Sequence, residues 1–258
     1  MAKTALITGA ITGIGYELAK LFAKDGNELV LLARDAGKLE QVAEEMRRIS
    51  GKPVRVIAAD LARPESAADI YRQFENTVVD SLVNNAGFGL GGPFVETDLQ
   101  TELDMMQVNM VSLVHLTKLF ARDMAGRKGG RILNVASTAA FQPGPLMAVY
   151  YASKSFVLSF SEALAEELRG SGVTVTTLCP GPTATEFQRR AKLDSARLFK
   201  GKTLTVMSAA KVAAIGYRGM MRGKVIVIPG VLNRMGVQSL RIAPRFIVRR
   251  AARKLQET

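Results

Sequence analysis

The sequence predicts one doubly wound α/β domain, a mostly seven-stranded parallel sheet with helices on both faces. Three observations carry this. Seven short apolar runs are separated by amphipathic helical patterns. The runs are near-continuous in Val, Ile, Leu and Ala, as in strands covered on both faces, and do not alternate in polarity. The chain has 258 residues, 48% hydrophobic and 22% charged, enough for one large core with no space for a second domain beside seven strands.

Thr4–Thr8 reads as a short buried strand. It runs through glycines into a helix over Ile14–Lys24, with Ile14, Leu18, Leu21 and Phe22 on one face and Gly26 as the stop. Glu28–Ala33 is the second strand, Ala36–Ile49 a charged helix followed by Gly51, and Val54–Ala59 the third strand. Pro64 precedes a helix over Glu65–Glu75, and Val78–Val83 is the fourth strand. Thr97–Met124 reads as one long helix, and Thr97 with Gln100 suits a capping box. Arg131–Ala136 is a strand, Val149–Arg169 a helix and Val173–Leu178 a strand. Ser208–Met221 is a helix and Lys224–Ile228 the last strand. In such a sheet, ligands lie at the carboxyl ends of the strands.

Composition removes several function classes. One cysteine, Cys179, excludes an internal disulfide. With one histidine, His115, it makes no His/Cys centre, so no metal is expected. His115 reads as a core or interface residue and Cys179 as an inert buried thiol. No serine stands in G-x-S-x-G. No signal-peptide pattern or bilayer-length apolar run is present, which predicts a cytoplasmic protein.

The charge is uneven. The chain holds 35 Lys+Arg against 23 Asp+Glu, net +12. Residues 1–185 hold 18 basic and 20 acidic groups, residues 186–224 hold 10 and 2, and residues 225–258 hold 7 and 1. The excess is therefore confined to the last 73 residues. A net +12 alone suggests nucleic acid, but the basic groups are not interleaved with aromatics at stacking spacing, so no nucleic-acid partner is expected.

The first strand leads into Thr8-Gly9-Ala10-Ile11-Thr12-Gly13-Ile14-Gly15 and then a helix. Glycines let the backbone turn tightly and approach a pyrophosphate, and the helix N-terminus offers unpaired N–H groups and a positive dipole end. A tight turn with no ligand is the alternative. The strand–turn–helix context at the first βα unit favours a nucleotide site.

The spacing is G-x-x-x-G-x-G. With it come Asn84-Asn85-Ala86-Gly87, Ser137, Tyr150-Tyr151-Ala152-Ser153-Lys154 and Pro180-Gly181, in that order. In these features the chain resembles the short-chain dehydrogenase/reductase family over residues 3–185, with weaker agreement to 230. The resemblance implies a Rossmann-like fold in residues 1–230, with 185–210 as a substrate lid. It implies hydride transfer between a nicotinamide dinucleotide and a carbonyl or secondary alcohol. It also implies a homodimer or homotetramer formed through the long helices Thr97–Met124 and Val149–Arg169. Carried over residue by residue, the cofactor would meet Gly9, Thr12, Gly13, Ile14, Gly15, Asp60, Leu61, Asn85, Ala86, Gly87, Tyr150, Lys154, Pro180, Gly181 and Thr183. One departure is Ile11, where the family usually carries a hydroxyl.

The second strand ends Leu32-Ala33-Arg34-Asp35. An acidic residue at this end accepts from a ribose 2′-OH, whereas a basic one nearby takes a 2′-phosphate. By resemblance the acidic position is Ala33 and the basic one Arg34. A guanidinium suits a phosphate, so NADP(H) is expected over NAD(H). The alternative makes Arg34 a solvated loop charge and Asp35 a cap for the next helix.

Tyr150 and Lys154 are i and i+4, on one face of a helix. A carbonyl that takes a hydride becomes an alkoxide and must be protonated. A nearby ammonium favours tyrosinate, which predicts that Lys154 lowers the Tyr150 pKa from its free value of about 10. Ser137 is expected to hydrogen-bond the substrate carbonyl. By resemblance Asn109 is the fourth member and shapes a water-linked proton path; a polar mid-helix residue is the alternative. Tyr151 lacks a cation at i+4 and reads as packing, and Thr138 fits the hydroxyl role less well than Ser137.

Phe88, Leu90, Phe141, Leu146, Met147 and Phe187 are candidate walls for an apolar substrate, or simply packed loop residues. The resemblance extends to acyl-chain and steroid or retinoid carbonyl reductases. The tail 231–258 interleaves Arg234, Arg241, Arg245, Arg249, Arg250, Arg253 and Lys254 with Leu240, Ile242, Phe246, Ile247 and Val248, and Pro244 divides it. This predicts either peripheral contact with an anionic membrane or a solvated helix with snorkelling arginines. The leading function is an NADP(H)-dependent carbonyl reductase. The alternatives are a non-catalytic NADP(H)-binding sensor and a membrane-surface binding protein. The sequence leaves the carbonyl substrate itself open, with an acidic or membrane-resident compound suggested by the charge.

Overall fold

The computed structural model describes residues 3–75, 77–185 and 206–256. The chain order is β1 (Thr4–Thr8), α1 (Gly13–Lys24), β2 (Glu28–Ala33), α2 (Ala36–Ser50), β3 (Val54–Ala58), α3 (Ser66–Arg72) and β4 (Ser81–Asn84). Then come α4 (Leu99–Met106), a π-helical turn (Gln107–Ser112), α5 (Leu113–Gly126), β5 (Gly130–Val135), a 3₁₀ turn (Thr138–Phe141), α6 (Ala148–Glu167) and β6 (Val173–Leu178). A short pair, β7 (Thr183–Ala184) and β8 (Met207–Ser208), is followed by α7 (Ala209–Met221), β9 (Ile226–Val227), α8 (Val231–Ser239) and α9 (Arg245–Gln256).

Seven strands form one sheet in the order β3-β2-β1-β4-β5-β6-β9. Every neighbouring pair in it is parallel. β1 is buried along its whole length because helices cover both faces. One core lies on the side of α1, α2 and α7, around Leu18, Phe22, Leu31, Met46 and Met220. The other lies on the side of α3 and α5, around Leu82, Leu116, Phe120 and Ile132. The order reverses between β1 and β4, so the carboxyl ends of these strands flank a crevice.

Three local expectations are corrected. The fourth strand begins at Ser81; Val78 lies outside it and is exposed. The long helix is capped by Asp98, whose carboxylate accepts from Thr101 N at 2.7 Å, while the Thr97 hydroxyl bonds Glu102 instead. That helix also contains a π turn where a uniform α-helix was expected. Pro244 does divide the tail, between α8 and α9. Among the described residues no helix is long and apolar enough to cross a membrane, and no cluster of three potential metal ligands occurs.

Candidate active site

A cleft of about 720 Å³ runs along the carboxyl ends of the strands, from Arg34 and Asp60 past the glycine loop to Ser137, Tyr150 and Lys154. The glycine loop is held open by its neighbours. Gly9 and Gly13 have φ of +66° and +60°, which L side chains rarely adopt. A Cβ on Gly15 would lie 2.3 Å from both Asn85 Nδ2 and the Gly9 carbonyl oxygen. The same Asn85 Nδ2 donates to the carbonyls of Thr8 and Gly9 at 3.0 and 3.1 Å. Thr8 Oγ1 accepts from the amides of Asn85 and Ala86. Asn85 therefore fastens the loop after β1 to the end of β4. Thr12 is the N-cap of α1, yet its side chain makes no capping bond, so the first-turn N–H groups face the cleft without a side-chain partner from it. This cradle fits a pyrophosphate on the N-terminus of α1.

At the far end, Arg34 Nη1 lies 4.0 Å from Asp60 Oδ2, and the Arg34 side chain is 70% exposed. Asp35 caps α2 by accepting from Lys38 N at 3.0 Å, which realises one half of the alternative reading of this turn. Lys38 also lines the cleft, with Nζ 3.1 Å from Asp35. It is a second cation at this end that sequence reasoning passed over. Asp60 holds its own turn by accepting from Ala62 N at 3.0 Å, and it lines the cleft as well.

At the other end, Ser137 is extended and caps the 3₁₀ turn, accepting from Ala139 N at 3.1 Å. Its hydroxyl donates to the Pro180 carbonyl at 3.4 Å, and it is the polar side chain that bears on the Tyr150 hydroxyl. Lys154, one helical turn after Tyr150, donates from Nζ to the Val135 carbonyl at 2.9 Å. Burial pushes the Tyr150 hydroxyl well above the usual tyrosine range. Ser137 opposes that shift and Tyr151 adds to it. Burial also pushes Lys154 down to about 8. The expectation that Lys154 lowers Tyr150 is therefore corrected. Nζ donates to Val135 and lies over the Tyr150 ring, 5.8 Å from its centre, and burial outweighs charge for both groups. As they stand, Tyr150 is a neutral proton donor and Lys154 a cation that titrates near neutrality.

Asn109 sits on the π turn, a place where helices often carry functional side chains. Its amide accepts from Phe88 N at 3.1 Å and donates to Phe88 O at 3.0 Å and Ser153 Oγ at 3.1 Å. It thus ties the backbone after β4 to α6 from behind the cleft. Gly87 runs between these groups. A Cβ there would lie 2.8 Å from Asn109 Oδ1 and 3.4 Å from Lys154 Nζ.

The cleft brings together Gly9, Thr12, Gly13, Ile14, Arg34, Asp60, Leu61, Asn85, Ala86, Gly87, Ser137, Tyr150, Lys154, Pro180, Gly181 and Thr183. Of the expected substrate walls, Phe88 and Met147 line it. Phe141 is corrected: it packs on the cluster of Leu113, Val157 and Cys179 behind the site. Leu90 packs on Met105 and Tyr151. Phe187 and most of the expected lid lie outside the described residues. Tyr151 is more than packing: it lines the cleft, and its hydroxyl accepts from Gln256 Nε2 at 2.7 Å. Leu232, Val237, Leu240 and Gln256 from the tail complete the wall. No motif marks them; tail and cleft meet only in three dimensions. Burial raises the Cys179 thiol to about 12, in keeping with an inert side chain.

Residues 3–196 match the short chain dehydrogenase family. The chain belongs to that family. It is 33% identical over 240 residues to 17-beta-hydroxysteroid dehydrogenase type 3 of Mus musculus, covering 91% of this chain and 77% of the relative. It is 34% identical over 224 residues to the very-long-chain 3-oxoacyl-CoA reductase of Anas platyrhynchos, covering 85% and 70%. A short-chain dehydrogenase from Sphingobium yanoikuyae, solved in complex with NADPH, superposes with a TM-score of 0.82 at 32% identity, covering 94% of this chain and 96% of that one. A family member from Burkholderia phymatum, solved in complex with NAD, gives 0.80 at 26% identity, covering 92% of each chain. As a short-chain dehydrogenase/reductase, the chain is an oxidoreductase of the nicotinamide-dependent class.

Proposed function

We propose that the protein is an NADP(H)-dependent carbonyl reductase acting on an apolar, lipid-like ketone, aldehyde or 3-oxoacyl thioester. One observation carries the reading. The Ser137 and Tyr150 hydroxyls and the buried Lys154 meet at one end of the cleft, beside walls that turn apolar at Phe88, Met147, Leu232, Val237 and Leu240. Steroids and very long acyl chains, named for two relatives, belong to that substrate class.

The cofactor's pyrophosphate would rest on Gly9, Thr12, Gly13, Ile14 and Gly15. Arg34, with Lys38 lining the same end of the cleft, would take the 2′-phosphate, and this pair is the basis for preferring NADP(H). Asp60 and Leu61 would border the adenine. Asn85, Ala86, Gly87, Pro180, Gly181 and Thr183 would border the nicotinamide half. Bound there, the nicotinamide supplies the hydride. The chain supplies the proton. Ser137 and Tyr150 donate hydrogen bonds to the carbonyl oxygen, and these strengthen as it becomes an alkoxide. Tyr150 then gives up its proton to that oxygen. Its raised pKa keeps it protonated for this step. Lys154, at the same end of the cleft, would border the nicotinamide half and relay the proton that restores Tyr150. Asn109 holds the Phe88 backbone and Ser153 in register.

Assembly is proposed through the face of α4–α6, where Leu99, Leu103, Met106, Val111 and Phe156 are exposed. A homodimer or homotetramer should appear as the solution mass. The function is tested by following NADPH oxidation over ketones, aldehydes and 3-oxoacyl thioesters of increasing chain length. Rates should rise with apolar size. No turnover across the series would reject the reading.

A further inference from the structure

The tail is one wall of the cleft on its inner side and a cationic, apolar surface on its outer side. On α9, Val248, Ala252 and Gln256, spaced i, i+4 and i+8, are buried against the body. Gln256 reaches Tyr151 beside the candidate catalytic tyrosine. The opposite side of α9 shows Phe246, Ile247, Arg250 and Lys254 to solvent. Val231, Leu232 and Met235 on α8, and Ile242 between the helices, are further exposed apolar residues of the tail; Met235 is 63% and Ile242 87% exposed. Leu232 lines the cleft and is itself exposed, so it stands at the junction of tail and cleft. From Val206 to Gln256 the sequence holds 11 Lys and Arg and no Asp or Glu.

We propose that residues 231–256 seat the protein on an anionic phospholipid bilayer, with the mouth of the cleft against the lipid. Apolar side chains at the acyl boundary with arginines at headgroup level are the arrangement of an interfacial helix. Charge complementarity selects this occupant. A second copy of the chain would set seven cations against seven with no carboxylate between them. A nucleic-acid backbone would satisfy the arginines but leave Val231, Leu232, Met235 and Ile242 in water, and Phe246 is the one aromatic available for stacking. The inference deepens the carbonyl-reductase reading by naming where an apolar substrate enters: from the membrane, past Leu232.

Vesicle binding is read without turnover, so its failure is separate from failure of the enzymatic reading. The full chain is sedimented with vesicles of phosphatidylcholine alone and of phosphatidylcholine with about one third phosphatidylglycerol. Wild type should pellet with the anionic vesicles and stay in solution with the neutral ones, and high salt should release it. Arg249→Gln with Arg250→Gln should weaken partitioning about thirtyfold, the share of two cations near a charged surface. Ile242→Ser with Phe246→Ser should weaken it about tenfold or more. Both double variants should keep their turnover of a soluble ketone. Equal binding to both vesicle types, or no change in either variant, would overturn the proposal. So would a lower solution mass for the Ile242/Phe246 variant, which would make the face a contact between copies, or retention on duplex DNA with vesicles ignored.

Discussion

Replacing Lys154 by methionine removes a buried cation while keeping its aliphatic volume. The lysine has a pKa of 10.5 when free and about 8 in the fold, because burial penalises its charge. The folded chain therefore binds fewer protons than the unfolded chain between those values. Stability rises with pH across that window, and the penalty is complete below it. While the lysine is charged, the penalty is on the order of 3 kcal/mol. Methionine also forfeits the bond to the Val135 carbonyl, about 1 kcal/mol. Lys154→Met should thus be about 2 kcal/mol more stable than wild type near pH 6.5, and about equal to it near pH 9.5. For a chain of this size, that is a Tm gain of about 4–8 °C at the lower pH. Paired thermal or denaturant unfolding at both pH values measures it, with turnover followed in parallel and expected to collapse. A variant less stable than wild type near pH 6.5, or a difference flat in pH, would refute the claim that Lys154 is held charged at a cost.

Arg34→Ala should raise the KM for NADPH about tenfold and leave that for NADH unchanged. The modest size reflects a solvent-exposed guanidinium and a second cation, Lys38, lining the same end of the cleft. Equal effects on the two cofactors would remove Arg34 from the phosphate site. Gly15→Ala would press a Cβ against the Gly9 carbonyl, which is backbone and cannot swing away. It should lower the Tm by about 6–12 °C, following from about 3 kcal/mol of overpacking. It should also abolish NADPH fluorescence enhancement, and an unperturbed variant would contradict the cradle as described.

What was legible in the sequence was local. Strand-and-helix alternation gave the sheet because apolar runs must be covered on both faces. Tyr150 and Lys154 were legible because i and i+4 share a helix face in any helix. Gly9, Gly13 and Gly15 stood out because a strand–turn–helix that tight needs them. The misses were non-local or a matter of competition. Gln256 meets Tyr151 across 105 positions, and no spacing rule connects them. Asp98 outcompeted Thr97 as the cap because its carboxylate reaches Thr101 N. The π turn under Asn109 is a backbone detail with no residue signature. Charge alone predicted that Lys154 would lower Tyr150; the burial that outweighs it comes from tertiary packing and is invisible to motif reading. Phe141 was apolar and near Ser137 in sequence, but the 3₁₀ turn aims it at the core behind the site.

The central claim is that Tyr150 gives the proton in carbonyl reduction. Tyr150→Phe removes one oxygen from a buried side chain and leaves the glycine cradle, Arg34 and Lys38 untouched. Titrating the variant with NADPH and then following NADPH oxidation with the best carbonyl substrate separates binding from chemistry. The account predicts an NADPH affinity within about twofold of wild type and a kcat lower by about 10²–10⁴, the usual share of a general acid. A variant with near-wild-type kcat would contradict it.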